Sequence, residues 1–277
     1  MLLGVICALS LLVGLLVCAA AGAFAGLHWL WVLPATFVLS FLVIVGVGFA
    51  FLMYLCRKVN QDEPQEEDDP LYRTVTEWII GGALPFLRIF VKKKGMEKLP
   101  GEGRFMLVCN HTDDSDPIIL LSCFPGRQLA FIAKREVRDM FVIGPMMHKL
   151  QCQLINREND REALKTILRC IQMLKEDKAS IGVFPEGRID DDRKLHHFRP
   201  GVFKIAQKAG VPIVVCTLKN ASHVVHDLLH LKTSRVEMTV LEVISAEELK
   251  DVTTVEIAER VYRLMADDLG PENVAEE

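Results

Sequence analysis

The chain has 277 residues and a formal net charge of −4, so it lacks the basic excess that nucleic-acid binding requires. Hydrophobic residues make up 51% of the chain and are unevenly distributed. The eight cysteines form no Cys-x-x-Cys pair, which argues against a disulfide framework or a zinc ribbon and suits a reducing compartment. The length predicts a membrane anchor followed by one domain of roughly 200 residues.

The first 56 residues contain no Asp, Glu, Lys or Arg, as a bilayer favours and a soluble core does not need. We expect two passes, over residues 2–23 and about 34–55, with the proline that opens the second pass in the first turn of its helix. Arg57 and Lys58 then favour a cytoplasmic exit. The sequence therefore predicts a transmembrane hairpin over residues 1–58 in the cell membrane, with the rest of the chain facing the cytoplasm. A cleaved signal peptide and a re-entrant hairpin are the alternatives.

The segment after the hairpin changes composition twice. Residues 59–70 carry six acidic residues and two prolines, which predicts a solvated linker. Residues 71–94 are amphipathic and end in three lysines, which predicts a helix. That helix either packs on the following domain or lies at the membrane interface with its lysines against anionic headgroups.

From residue 95 to 277, apolar runs alternate with helical patterns. This alternation predicts an α/β domain with a mostly parallel or mixed sheet flanked by helices. The expected strands are 104–109, 129–133, 152–155, 180–184, 212–217 and 235–243. The expected helices lie near 115–123, 160–176, 201–209 and 246–267.

Two polar motifs follow apolar runs of this domain. Residues 110–117 read Asn-His-Thr-Asp-Asp-Ser-Asp-Pro and place His111 five positions before Asp116. A carboxylate that holds one imidazole nitrogen leaves the other free to accept a proton, so this motif predicts a base that activates a hydroxyl. Residues 184–188 read Phe-Pro-Glu-Gly-Arg and bring a carboxylate and a guanidinium to the end of another apolar run.

These motifs resemble those of the 1-acylglycerol-3-phosphate O-acyltransferases, the glycerolipid acyltransferases that make phosphatidic acid. The similarity runs from about residue 95 to 220, most of the domain. Its elements, in order, are Gly95 to Pro100, the NH-x4-D motif with Pro117, Lys134 and Glu136, Ile155-Asn156-Arg157, Phe184 to Gly187, Phe198, Gly201, and Val211-Pro212-Ile213.

The resemblance implies transfer of a fatty acyl group from acyl-CoA or acyl carrier protein to the sn-2 hydroxyl of lysophosphatidic acid. It implies His111 as general base and Asp116 as its partner. The residues it assigns to substrate binding are Arg157, Lys134, Glu186, Gly187 and Arg188. A thioester donor is already activated, so no metal, bound cofactor or covalent nucleophile is expected.

Two departures from the family pattern bear on the acceptor. The third motif of the family usually has a Thr before its Arg, whereas Arg188 here follows Gly187 directly. Arg193 and Arg199 are therefore candidates to grip the phosphate in its place. The second motif usually has an Asp where this chain has Asn156. Another lysolipid or glycerol 3-phosphate is thus the alternative acceptor.

Other functional classes remain in view. A metal-dependent membrane hydrolase is the rival enzyme, because metal-binding atoms are carried by His111, by the aspartates at 113, 114 and 116, and by the pair His196-His197. Three further histidines, at 223, 226 and 230, are spaced for one helix face and suggest either a zinc site or ordinary packing. A non-catalytic membrane scaffold is the third class, against which the intact His111 and Asp116 argue.

Overall fold

The computed structural model describes residues 2–156 and 159–275, which form nine α-helices and seven strands. The helices are α1 (Leu2–Ala20), α2 (Trp29–Lys58), α3 (Pro70–Phe86), α4 (Asp116–Cys123), α5 (Ile143–Lys149), α6 (Asp160–Lys175), α7 (Lys204–Ala209), α8 (Val224–Leu229) and α9 (Thr254–Leu269). The strands are β1 (Ile89–Lys94), β2 (Met106–Val108), β3 (Leu129–Lys134), β4 (Gln153–Ile155), β5 (Ser180–Val183), β6 (Ile213–Lys219) and β7 (Ser234–Ile244).

The strands form one mixed sheet in the order β1-β7-β6-β2-β5-β3-β4. Strands β2 to β6 run parallel to one another, and β7 pairs antiparallel to β6 and parallel to β1. Five strands therefore end at one edge of the sheet, here named the carboxyl edge, and β1 and β7 begin there. The predicted mixed α/β sheet is confirmed.

Helices cover both faces of this sheet because its strands are apolar on both sides. In β2, Met106 and Val108 face a core shared with α6, α7 and α9. Leu107, between them, faces a second core shared with α3 and α4. This two-sided burial holds the end of β2 rigidly, and the first polar motif follows directly.

The two N-terminal helices pack against each other through small residues. Ser10, Gly14 and Cys18 form the buried stripe of α1. A Cβ at Gly14 would lie 3.0 Å from Leu33 Cδ1, so the helices approach closely there. The Ser40 hydroxyl donates to the Ser10 carbonyl across the pair at 3.3 Å. Small residues at such contacts are typical of helix pairs in membranes, and both helices are long and apolar enough to cross one.

The second helix begins earlier than predicted. It starts at Trp29, so Pro34 lies inside the helix and not in its first turn. Pro34 removes one backbone hydrogen bond from the helix. The helical hydrogen bonds gained by the apolar residues from Trp29 to Leu33 outweigh that loss.

The acidic linker is largely exposed, as the composition suggested, and several of its carboxylates also pair with basic residues of the domain. Glu66 contacts Arg169 at 2.7 Å and Lys178 at 3.2 Å. Two further ion pairs join the linker to the domain, Asp62 to Arg138 and Asp69 to Lys149. The linker thus runs along the domain near α5 and α6 and ties the hairpin to it.

The predicted helix over residues 71–94 is too long. It ends at Phe86, and Ile89–Lys94 form edge strand β1, so the sheet begins before the predicted domain boundary at residue 95. Branched and aromatic side chains at 89–91 favour a strand, and Arg88, at φ +59°, breaks the helix. The C-terminal helix also starts later than the predicted residue 246, at Thr254, where a capping box fixes it.

Candidate active site

His111 and Asp116 lie together where β2 gives way to α4. The Asp116 carboxylate is the first side chain of α4 and is fully buried. Its Oδ2 lies 3.0 Å from His111 Nδ1. The same oxygen accepts the backbone N–H groups of Thr112 at 2.7 Å and Asp113 at 2.9 Å. The loop wraps around one carboxylate oxygen, which brings the two predicted side chains into contact.

The electrostatics of this pair are set by burial and hydrogen bonds. Burial raises the pKa of Asp116 above its ordinary value, and the hydrogen bonds from His111 and the two amides act against that rise. Within the described part of the chain, its other oxygen, Oδ1, is buried without a hydrogen-bond partner. The carboxyl is thus committed to Nδ1 of His111, and Nε2 is the nitrogen that remains for a substrate.

Phe184 fixes the plane of the imidazole. The rings of His111 and Phe184 stack with centroids 4.0 Å apart and planes 18° apart. Phe184 in turn stacks on Phe131 of β3, with centroids 5.8 Å apart. The His111 side chain remains 16% exposed, so its ring is clamped yet accessible. This contact of Phe184 was not predicted; the signal in the sequence was an aromatic residue at the end of the strand that adjoins β2.

Glu186 joins the two motifs. One carboxylate oxygen accepts the backbone N–H of His111 at 2.8 Å, and the other accepts that of His196 at 3.1 Å. The side chain is buried, and this burial raises its pKa to about 8. Both oxygens thus contact backbone, so the geometry favours a positioning role, and substrate binding by Glu186 stays a prediction.

Asn110 anchors the start of the first motif. Its side-chain amide donates to the Leu218 carbonyl at 3.1 Å, and its oxygen accepts the Leu218 N–H at 2.8 Å. The loop that carries His111 is therefore fastened to β6 on one side and, through Glu186, to the second motif on the other.

The arginines near the second motif differ in their partners. Arg188 is exposed and pairs with Asp190 at 2.8 Å. Arg193 pairs with buried Asp113 at 3.1 Å. Arg199 is exposed, lies against Gly187, and has no acidic partner among the residues that the structure describes.

A side chain at Gly187 would crowd the Arg199 side chain and strain the backbone. The φ of Gly187 is +80°, and a Cβ there would lie 3.0 Å from Arg199 Nε. Glycine thus allows the guanidinium of Arg199 to sit directly against the turn.

Two predicted binding residues complete the set. Lys134 is exposed at the carboxyl end of β3, where its ammonium faces solvent. Arg157 lies outside the described residues.

Several residues of the rival metal hypotheses make other contacts. The Asp113 carboxylate accepts from Ser115 and Arg193, and the His196 ring lies 2.7 Å from Asp192. The rings of His226 and His230 stack with centroids 4.2 Å apart. Over residues 2–156 and 159–275, no group of three or more His, Cys, Asp or Glu is arranged to hold a metal ion.

Comparison with known proteins also shows similarity to acyltransferases. Residues 90–219 match the family model described as Acyltransferase. A chloroplastic 1-acyl-sn-glycerol-3-phosphate acyltransferase of Arabidopsis thaliana is 32% identical over 142 residues, 51% of this chain and 38% of that protein. A probable 1-acyl-sn-glycerol-3-phosphate acyltransferase of Mycoplasma genitalium is 28% identical over 196 residues, 64% of this chain and 70% of that protein. The chain therefore spans well under half of the plant relative.

A solved structure shares the fold. The crystal structure of the 1-acyl-sn-glycerophosphate (LPA) acyltransferase PlsC from Thermotoga maritima matches with a TM-score of 0.56 and 23% identity, over 77% of this chain and 86% of that chain. The matched region of the family model contains both polar motifs and the His111–Asp116 pair. Residues 90–219 are thus similar to the acyltransferase family model, and the chain is similar in sequence to 1-acyl-sn-glycerol-3-phosphate acyltransferases.

Proposed function

We propose that this chain transfers a fatty acyl group from acyl-CoA or acyl carrier protein to the sn-2 hydroxyl of 1-acyl-glycerol-3-phosphate, giving phosphatidic acid. The observation that carries the proposal is the His111–Asp116 contact of 3.0 Å at the carboxyl edge, joined to the second motif through Glu186. The names of the relatives support the choice of acceptor.

In the proposed reaction, His111 Nε2 takes the hydroxyl proton as the acceptor oxygen attacks the thioester carbonyl carbon. The positive charge that forms on the imidazole is stabilised by Asp116 at Nδ1. The tetrahedral intermediate then expels the thiolate, which takes the proton back from His111. The products are the new ester and the free thiol.

The proposed reaction uses no metal and no bound cofactor. A thioester is activated toward an alcohol, so the acyl group can pass directly to the acceptor without a covalent enzyme intermediate. The side chains supply proton transfer and orientation, which general acid–base catalysis and positioning can provide.

We assign the acceptor phosphate to Arg199. Its exposed guanidinium lies against the Glu186–Gly187 turn and has no acidic partner within the described residues. A guanidinium binds a phosphate through two parallel hydrogen bonds. Lys134, which is also exposed, adds positive charge for the acceptor or the donor, whereas Arg188 is paired with Asp190.

The proposed acceptor is a membrane lipid, and the hairpin of α1 and α2 suits that location. Both helices are long and apolar enough to cross a bilayer. Arg57 and Lys58 end α2, which supports a cell-membrane position with the domain in the cytoplasm.

The proposal is tested by the product. Full-length protein, purified in detergent, is offered a panel of lysolipids and glycerol 3-phosphate with labelled acyl-CoA and acyl carrier protein, and the products are identified by mass spectrometry. We expect labelled phosphatidic acid from 1-acyl-glycerol-3-phosphate. Labelled product from glycerol 3-phosphate or another lysolipid in its place would assign the chain to the alternative acceptor, and release of free fatty acid alone would reject acyl transfer.

A further inference from the structure

Two leucines are exposed in the turn that joins α8 to β7, here named the leucine turn (residues 229–231). Leu229 is 77% exposed and Leu231 is 78% exposed. Leu231 also has φ +54°, in the left-handed region that favours glycine or asparagine. Neither burial within the chain nor backbone preference accounts for a leucine there, which makes the turn a candidate for a contact outside the chain.

The leucine turn lies on the same side of the molecule as His111. Strand β7 begins at the carboxyl edge of the sheet, three residues after Leu231. The Val225 N–H, in α8, points to the Asp113 carboxylate at 3.5 Å, and Arg193 links that carboxylate to the Ser222 carbonyl. The helix before the turn is therefore tied to the loop that carries His111.

The leucine turn is also joined to α3. The Arg88 guanidinium donates to the Leu231 carbonyl at 3.0 Å, and the Arg88 carbonyl accepts the Ser234 N–H at 3.1 Å. Arg88 follows α3, which exposes Trp78 by 58% and Phe86 by 65%.

Helix α3 also contacts the hairpin. A Cβ at Gly82 of α3 would lie 3.4 Å from the Leu2 side chain of α1. Exposed apolar residues thus lead from the membrane hairpin, along α3, to the leucine turn.

The charge beside the leucine turn is positive. Arg88, Lys232 and Arg235 are exposed next to it. The nearby acidic groups are engaged: Asp227 accepts from the Ser234 hydroxyl at 3.2 Å, and Glu237 pairs with Lys94 at 2.7 Å. Apolar side chains surrounded by exposed cations match the chemistry of a bilayer that contains anionic lipids.

We propose that the leucine turn enters the surface of the bilayer that holds the hairpin, as a second membrane contact that brings the carboxyl edge down to the lipids. The occupant is a lipid surface, chosen because the turn is continuous with the hairpin and bordered by cations. This inference rests on the proposed function, since a membrane-resident acceptor must reach His111.

The experiment places a tryptophan at the turn of the full-length chain. In a background with Trp29→Phe, Trp31→Phe and Trp78→Phe, one variant adds Leu231→Trp and a matched control adds Leu168→Trp. Leu168 is an equally apolar residue on α6, 55% exposed on another side of the domain. Both proteins are reconstituted into vesicles of phosphatidylcholine and phosphatidylglycerol, with or without brominated acyl chains. A Leu229→Trp variant repeats the measurement if Leu231→Trp folds poorly by circular dichroism.

We expect brominated lipid to quench the tryptophan fluorescence of the Leu231→Trp protein at least twofold more strongly than that of the Leu168→Trp protein. Equal quenching at the two positions would overturn the membrane contact, whether the turn then faces water, a second copy or another protein. Failure of the proposed function has a different signature, because a chain that acylates no lysolipid would still show the difference in quenching.

Discussion

Glu186 is the residue on which the alignment of both motifs depends. Its two oxygens hold the backbone of His111 and of His196, and burial raises its pKa to about 8. In the unfolded chain the same carboxyl releases its proton near its ordinary value. Between those two values the unfolded state binds fewer protons than the folded state, so the free energy of unfolding falls as pH rises.

Glu186→Gln removes this titration. We expect the contribution of Glu186 to the stability of the wild-type protein to be greatest below about pH 4.5 and to decline up to about pH 8. Between these two pKa values the free energy of unfolding should fall by at most about 1.4 kcal/mol per pH unit. The variant should lack that decline. Thermal unfolding in detergent at pH 5, 6.5 and 8 measures the difference, and parallel curves for the two proteins would contradict it.

Arg199→Ala tests the phosphate assignment. Loss of a charge-assisted hydrogen bond costs about 1.5–3 kcal/mol, so KM for 1-acyl-glycerol-3-phosphate should rise roughly tenfold or more, with a smaller change in kcat. Arg188→Ala is the matched control, because that side chain is already paired with Asp190. A larger KM effect for Arg188→Ala than for Arg199→Ala would reverse the assignment.

For individual residues, the sequence predicted the contacts that depend only on local chain geometry. The contact between His111 and Asp116 follows from one loop that joins a strand to a helix, so their spacing was informative. The contacts of Phe184 and Glu186 with His111 require β2 and β5 to be neighbours, which spacing along the chain does not reveal. The order of the strands in the sheet determines whether these contacts form.

Among the elements, the hairpin depends on the close approach of α1 and α2. Gly14→Leu would place new atoms against Leu33, since a Cβ alone already comes within 3.0 Å of it. We expect the helices to separate and the pair to lose about 1–3 kcal/mol, the usual cost of overpacking. Gly4→Leu is the control, because a Cβ there meets nothing within 4 Å.

The two variants are compared by the thermal midpoint of the full-length chain in detergent and by retention in vesicles after a wash. Gly14→Leu should lower the midpoint and Gly4→Leu should leave it near the wild-type value. Equal effects of the two changes would argue against tight helix packing at Gly14.

Helices and strands were predicted correctly where the sequence pattern was long. They were missed where the structure depends on pairing with a strand distant in the sequence. Composition predicts the apolar spans, and periodicity predicts the helix near 160–176. Strand β1 was hidden because residues 89–94 continue an amphipathic run, and only pairing with β7 makes them a strand. The ion pairs of the linker cannot be predicted from its composition, because its basic partners, such as Arg169, lie about a hundred positions further along the chain.

For the whole molecule, the question is how the domain meets its membrane. If the leucine turn holds the carboxyl edge at the bilayer, Leu229→Ser combined with Leu231→Asn should lower the rate with vesicle-embedded lysolipid several-fold. The rate with a short-chain, water-soluble lysolipid should stay near the wild-type value, because no chemistry is altered. Asparagine also suits the φ of +54° at position 231.

Leu164→Ser combined with Leu168→Asn is the control, since these leucines are each 55% exposed on α6. The control should leave both rates unchanged. An equal loss with both substrates in the leucine-turn variant would point to damage within the domain instead of lost membrane contact.

The mixed α/β sheet was predictable from the sequence, whereas the direction of strands β7 and β1 within it was not. The alternation of elements predicted a mixed α/β sheet, and the family resemblance agreed with it. The reversal of β7 and β1, which brings the leucine turn to the carboxyl edge, depends on long-range pairing.

The central claim is that His111, oriented by Asp116, removes the proton from the acceptor hydroxyl. Its most direct test is the turnover of His111→Ala with 1-acyl-glycerol-3-phosphate and acyl-CoA, measured beside its circular dichroism and thermal midpoint. A general base contributes roughly 10²–10⁴-fold, so we predict a loss of that size with the fold retained. Turnover by a folded His111→Ala protein within a few-fold of wild type would contradict the account.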